Sequence, residues 1–158
     1  MQDLRQLSAL CEKNGAQFLS SEPLAAHTTF HIGGPCRAMV TLPDIAACQE
    51  IVQYLREHAV PYRLIGRGSN LLVPDAGYAG VILKLGGKLA EQPPVAGQDI
   101  TCGAGASLKN LCLAAMNASL TGLEFAYGIP GSVGGAVYMN AGAYGGEISQ
   151  VLTQVTVL

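Results

Sequence analysis

The sequence predicts an α+β protein built as two lobes. Three observations carry this. Residues 36–85 alternate strand-like and helix-like runs in β-α-β order, the pattern of a layered mixed fold. Residues 86–97 are polar, hold Pro93, Pro94 and several glycines, and separate that series from a second strand-helix series. Glycines also gather behind the predicted strands and, most densely, in residues 122–146. A solvated loop is rich in Ser, Asn, Asp and Lys. This stretch instead carries Ile129, Val133, Val137, Tyr138 and Met139, with charge only at Glu124 and Glu147. A neutral, small-residue surface of that kind suits a large flat ligand met by main-chain groups.

The bulk properties narrow the class. The chain has 158 residues, 49% hydrophobic and only 13% charged, which excludes a disordered chain. So little charge also implies that part of the surface is covered by something else. With a net charge of −2 and no basic block, nucleic acid is not an expected partner. No apolar run approaches the ~20 residues of a membrane span, and the start lacks a leader pattern, so a soluble cytoplasmic protein is expected. Cys11, Cys36, Cys48, Cys102 and Cys112 form no CxxC pair and are expected as free thiols in a reducing compartment. His27, His31 and His58 share no ligand spacing with them, so no metal site is expected.

Taken in order, residues 1–27 read as an amphipathic helix (Leu4, Leu7, Leu10 and Cys11 on one face, stopped at Asn14-Gly15) and a linker over 20–29. Residues 28–86 form the first lobe. Its expected elements are a strand over Cys36–Leu42, a helix starting at Pro43-Asp44, a strand over Tyr62–Ile65, an extended segment Leu71–Val73 and a strand over Gly80–Leu85. Residues 87–158 form the second lobe. A strand over Asp99–Cys102 leads to a helix capped by Ser107, with Leu108, Leu111, Cys112, Ala115 and Met116 on one face. Val151–Leu158 reads as a strand that no further element closes, as expected of part of a longer product.

Two short motifs carry the chemistry. Gly66-Arg67-Gly68-Ser69-Asn70 follows a strand, and paired glycines let successive N–H groups converge on an anion. Leu71 stands where a dinucleotide fingerprint has its third glycine, and no helix follows; the Gly-Lys-Ser/Thr of a phosphate loop is also missing. Alone, this motif reads equally as a tight β-turn. Gly103-Ala104-Gly105-Ala106-Ser107 is a second glycine turn, at a helix start. Together with residues 122–146 they point to one dinucleotide-sized ligand.

The order of Thr29-Phe30-His31-Ile32-Gly33-Gly34, Gly66-Arg67-Gly68-Ser69-Asn70-Leu71-Leu72, Gly103-Ala104-Gly105, Gly128-Ile129-Pro130-Gly131-Ser132-Val133-Gly134-Gly135-Ala136 and Met139–Gly145 resembles the UDP-N-acetylenolpyruvoylglucosamine reductase family. The resemblance runs from about residue 20 to the end, and its last two motifs are the most specific. It implies an FAD-binding region of two α+β lobes, of the vanillyl-alcohol-oxidase/PCMH type, with the family's substrate domain absent from this chain. It implies that Ile65, Gly66, Arg67, Gly68, Ser69, Asn70 and Leu71 wrap the pyrophosphate of FAD. Ala104 and Gly105, with Gly128, Ile129, Pro130, Gly131, Ser132, Gly135 and Ala136, would line the adenosine and the flavin. Asn140, Gly142 and Ala143 would lie near the flavin.

The family reaction implied is NADPH-dependent reduction, through FAD, of UDP-N-acetylenolpyruvoylglucosamine to UDP-N-acetylmuramate in peptidoglycan precursor synthesis. The resemblance carries no catalytic residue onto this chain. The family's arginine motif follows the strand at which the chain stops, and its serine proton donor and glutamate lie further on. FAD is expected to be non-covalent, because the Gly66 loop holds no His or Cys and His31 reads better as a turn residue. Tyr144 reads equally as a flavin-edge aromatic or as loop packing. A different FAD-dependent oxidoreductase of the same fold, and a flavin-binding fragment without turnover, remain the alternatives at this point.

Overall fold

The computed structural model describes residues 2–92 and 95–158, with Gln2 and Asp3 described by backbone only. The chain folds as two compact units, Met1–Gly87 and Lys88–Leu158. The expected seam over 86–97 includes Pro93 and Pro94, which lie outside the described residues.

Unit 1 is a four-stranded sheet with two helices. Strand β1 (Gln17–Ser20) is antiparallel to β2 (Cys36–Leu42), and β4 (Tyr78–Leu85) is parallel both to β2 and to β3 (Tyr62–Leu64), giving the order β1-β2-β4-β3. The β-branched and aliphatic runs Ala-Met-Val-Thr-Leu and Val-Ile-Leu are buried on both faces, as central parallel strands require. Helix α1 (Gln2–Lys13) packs on α2 (Ile45–Glu57). Helix α2 starts at Asp44, whose carboxylate accepts from the Ala47 N–H at 2.9 Å. Leu7 and Cys11 of α1, and Ile51 and Leu55 of α2, are fully buried. Each such aliphatic side chain contributes about 1.5–3 kcal/mol by leaving water. A separate cluster joins Met39 and Ile82, which face each other across β2 and β4, to Leu24 and Cys36, with Leu19, Ile65, Val73 and Tyr78 around it.

Residues 20–29 are not a linker. β1 pairs along β2 and Leu24 is buried in that cluster, so residues 17–27 belong to unit 1. Leu71–Val73, expected as an extended segment, joins no sheet. Val73 packs on the cluster by its side chain while its backbone pairs with no strand.

Unit 2 is built on two short helices. α3 (Leu108–Asn117) is capped by Ser107 and α4 (Val133–Tyr138) by Ser132. The two-residue strands β5 (Gly142–Ala143) and β6 (Gly146–Glu147) form a hairpin. Its turn residues Tyr144 and Gly145 both have positive φ, at 52° and 83°, the requirement of a type I′ turn. The core holds Leu108, Leu111, Cys112, Ala126, Ala136 and Ile148.

Two expected strands are missing here. Over Asp99–Cys102 there is only an isolated bridge from Asp99 to Ala96, and Ile100 and Cys102 pack on the core from irregular backbone. Val151–Leu158 is irregular and exposed. Its alternating pattern is strand-like, but a strand exists only with a ladder partner, and among the described residues none pairs with it.

Candidate functional site

In unit 1, β3 and β4 are parallel neighbours, so the chain must cross from the end of one to the start of the other. Such crossovers usually contain a helix. Residues 65–77 contain none. They leave the sheet at the carboxyl ends of its parallel strands, where open α/β sheets hold ligands. Ile65 is still anchored, its N–H donating to the Leu83 carbonyl at 2.9 Å. Gly66–Asn70 then turns away.

Gly68 is buried, with φ +70°, and a Cβ there would fall on the His27 carbonyl oxygen. Only glycine fits. The Gly68 carbonyl accepts from the Thr29 N–H at 3.2 Å, and the buried Thr28 hydroxyl donates to the Ile32 carbonyl at 2.9 Å. The 66–70 loop is therefore seated on the 27–34 turn. Among the described residues, the main-chain N–H groups of Gly66, Arg67, Gly68 and Asn70 donate to no main-chain carbonyl. Successive N–H groups left open in a loop with positive φ are the arrangement that can accept an anion. Arg67 is exposed and Ser69 half-buried. Leu71 lines an apolar groove with Leu24, Leu64, Ile65, Val73 and Tyr78. His31 is exposed at φ +54°, in the turn below the loop.

In unit 2 the predicted site residues come together differently. The Leu108 N–H donates to the Gly131 carbonyl at 3.1 Å, Val133 N–H to Ala106 at 2.9 Å and Gly134 N–H to Ala104 at 2.7 Å. Ser132 is buried and its Oγ accepts from Gly135 N–H at 3.3 Å. The starts of α3 and α4 are thus stitched to each other, and the first-turn donors of α4 are already used. Gly134 makes this approach possible, since a Cβ there would stand 2.8 Å from the Ala104 Cβ. Gly105 is also engaged, donating to the Leu89 carbonyl at 2.7 Å. What unit 2 presents is a small-residue surface: Ala104, Gly128 and Pro130 are exposed, while Ile129, Gly131, Gly135 and Ala136 lie behind it.

Asn140, at φ +44°, accepts from the Ser149 N–H through Oδ1 at 2.9 Å and helps hold the Glu147 carboxyl below its usual pKa, after Ser149. Gly142 and Ala143 form β5, and Tyr144 is 96% exposed, so it does not pack on its own lobe. Among the described residues no group of three His, Cys, Asp or Glu is placed to hold a metal, and no helix is long and apolar enough to cross a membrane. All five cysteines are free thiols. Sequence reasoning passed over His27, Thr28 and Lys84. The available signal for Lys84 was a lysine inside the apolar run Val-Ile-Leu-Lys-Leu.

A mixed sheet that releases a glycine loop at the carboxyl ends of its parallel strands, and a second unit of helices and glycine-alanine turns, make this an α+β protein. Residues 36–158 match the FAD binding domain model, and the chain belongs to that family. Over its whole length it is similar to the FAD-binding portion of the UDP-N-acetylenolpyruvoylglucosamine reductases. It is 45% identical to that enzyme of Bacillus licheniformis over 100% of this chain and 50% of the relative. To the enzyme of Bacillus pumilus it is 47% identical, over 94% of this chain and 49% of the relative. The crystal structure of the reductase from Thermus caldophilus superimposes with a TM-score of 0.65 at 36% identity, covering 84% of this chain and 44% of that one. The chain spans about half the length of the relatives it matches.

Proposed function

We infer that the chain is the FAD-binding part of an NADPH-dependent reductase that converts UDP-N-acetylenolpyruvoylglucosamine to UDP-N-acetylmuramate in the cytoplasm, in peptidoglycan precursor synthesis. The observation that carries the reading is the Gly66–Asn70 loop, in which the N–H groups of Gly66, Arg67, Gly68 and Asn70 meet no main-chain carbonyl among the described residues and Gly68 admits no Cβ. That loop fits a pyrophosphate. The main chain of Gly66, Arg67, Gly68 and Asn70 donates to it, Ser69 completes the turn, and Ile65 and Leu71 flank it with apolar surface. Ala104, Gly105 and Gly128–Ala136 offer small side chains against flat rings, and Asn140, Gly142 and Ala143 border the flavin.

Bound FAD supplies two-electron chemistry between NADPH and the enolpyruvyl group. This chain's residues bind and orient the cofactor; none is assigned to proton transfer. Loss of a single preorganised electrostatic group typically costs about 10²–10³ in rate. The chain alone is therefore expected to bind FAD without completing the reduction.

The test is titration of the purified chain with FAD, followed by acid denaturation and product analysis. Expected are saturable binding, full release of free flavin, and no UDP-N-acetylmuramate from NADPH and substrate. Flavin retained on the precipitate overturns non-covalent binding, and stoichiometric product overturns the assignment of catalytic groups outside the chain.

A further inference from the structure

Behind the Gly66–Asn70 loop runs a chain of three ionisable side chains. The Nε2 of His27 meets Glu22 Oε1 at 2.8 Å, and its Nδ1 meets Lys84 Nζ at 3.3 Å. The His27 and Glu22 side chains are only 20% and 23% exposed. With Nε2–H donating to the carboxylate, Nδ1 is left as an acceptor, and the Lys84 ammonium is the donor that fills it. One ammonium hydrogen is so engaged, and others remain for a further acceptor.

The backbone explains where that ammonium is held. Lys84 follows Leu83, which pairs with Leu64, and Ile65 N–H donates to the Leu83 carbonyl. Lys84 therefore stands level with the point where the loop leaves the sheet. Its partner His27 lies against Gly68 by its own carbonyl. Burial first, and then the Arg67 charge, hold the Lys84 ammonium below its ordinary pKa. A half-buried cation beside a second cation is an arrangement that an anion would relieve.

We propose that Lys84, aimed by His27 and Glu22, is the fixed cation of the Gly66–Asn70 loop and holds the phosphate charge of a bound dinucleotide. Lys84 contacts the ligand; His27 and Glu22 are positioning residues that act through it. The proposal rests on the FAD reading above and adds a side-chain charge to a loop otherwise working through its main chain.

The test measures FAD affinity by flavin fluorescence, and thermal stability without ligand, for the whole chain carrying Lys84→Met, Lys84→Arg, Glu22→Gln or Lys13→Gln. Lys84→Met is expected to bind FAD about tenfold to a hundredfold more weakly, the loss typical of a hydrogen bond to a charged group. The dependence of its affinity on salt should be shallower. Its melting temperature is expected near wild type, because relief of a partly desolvated charge offsets the lost donor to His27 Nδ1. Loss of binding without loss of stability is what a merely structural lysine cannot produce. Lys84→Arg should restore most of the affinity and Glu22→Gln should lose several-fold. Lys13→Gln removes an exposed lysine paired to Glu50 and should bind as wild type. If wild type binds FAD and Lys84→Met binds equally well with the same salt dependence, the proposal is overturned alone. If wild type takes up no FAD, the FAD reading falls and this proposal falls with it.

Discussion

The two units use glycine for opposite ends. In unit 1 the glycine loop is held from outside, by Thr29 N–H on the Gly68 carbonyl and by Ile65 on β4, and the N–H groups of Gly66, Arg67, Gly68 and Asn70 donate to no main-chain carbonyl among the described residues. In unit 2 the glycine turns hold each other. The N–H groups of Val133, Gly134 and Gly135 are spent on Ala106, Ala104 and Ser132. A buried N–H must be paired, whereas one at the surface can stay open to water or to a ligand; Gly66, Arg67 and Asn70 are half-buried or exposed. The same composition gives a loop with open main-chain donors in one unit and a self-closed support in the other, and only the hydrogen bonds distinguish them.

The sharpest way to break this comparison is Gly68→Val. A branched side chain would meet the His27 carbonyl at a positive-φ position, so the cradle itself must move. FAD affinity is expected to fall at least about a hundredfold, a loss of roughly 2.7 kcal/mol, while Arg67→Ala costs far less because its side chain is exposed. Fluorescence titration of both decides it; a larger loss in Arg67→Ala would mean that mobile charge rather than the main chain holds the ligand.

A second test probes the helix packing of unit 1. Burial raises the Cys11 thiol from the ordinary 9.0 to about 11. Between those values the folded chain keeps a proton that the unfolded chain has lost. Stability from this group is complete below pH 9 and is lost as pH rises through 11. Urea melts at pH 8 through 11 should show wild type losing more stability than Cys11→Ala. Parallel curves would show that this thiol does not titrate against folding.

The smallest effect is expected in unit 2. Ser132→Ala removes the cap that satisfies Gly135 N–H and should cost about 1 kcal/mol of stability. A chemical melt reports it, and a loss near zero would mean that the stitched helix starts need no side-chain cap.

Local chemistry was legible in the sequence where a residue acts on its neighbours. The Pro43-Asp44 helix start and the strand-like run Cys36–Leu42 placed α2 and β2 closely, and Ser107 placed α3. What depended on partners distant in sequence was not legible. Gln17–Ser20 joins the sheet only because β2 is beside it, and Val151–Leu158 stays irregular because no strand is. The site divides the same way. Gly68 stood out because its motif is contiguous. Lys84 did not, because its partners Glu22 and His27 lie some sixty residues earlier and only the sheet brings them together.

The order of the sheet has a consequence for synthesis. β4, the last strand of unit 1 to leave the ribosome, is inserted between β2 and β3. Until it arrives, β3 has no neighbour and the loop that follows it has no anchor at Leu83. A nascent chain that has emerged only to Leu64 holds both flanking strands and still no ligand cradle. The loop is thereby kept from its seated form until unit 1 completes, and a ribosome stalled before Tyr78 would display a chain without it.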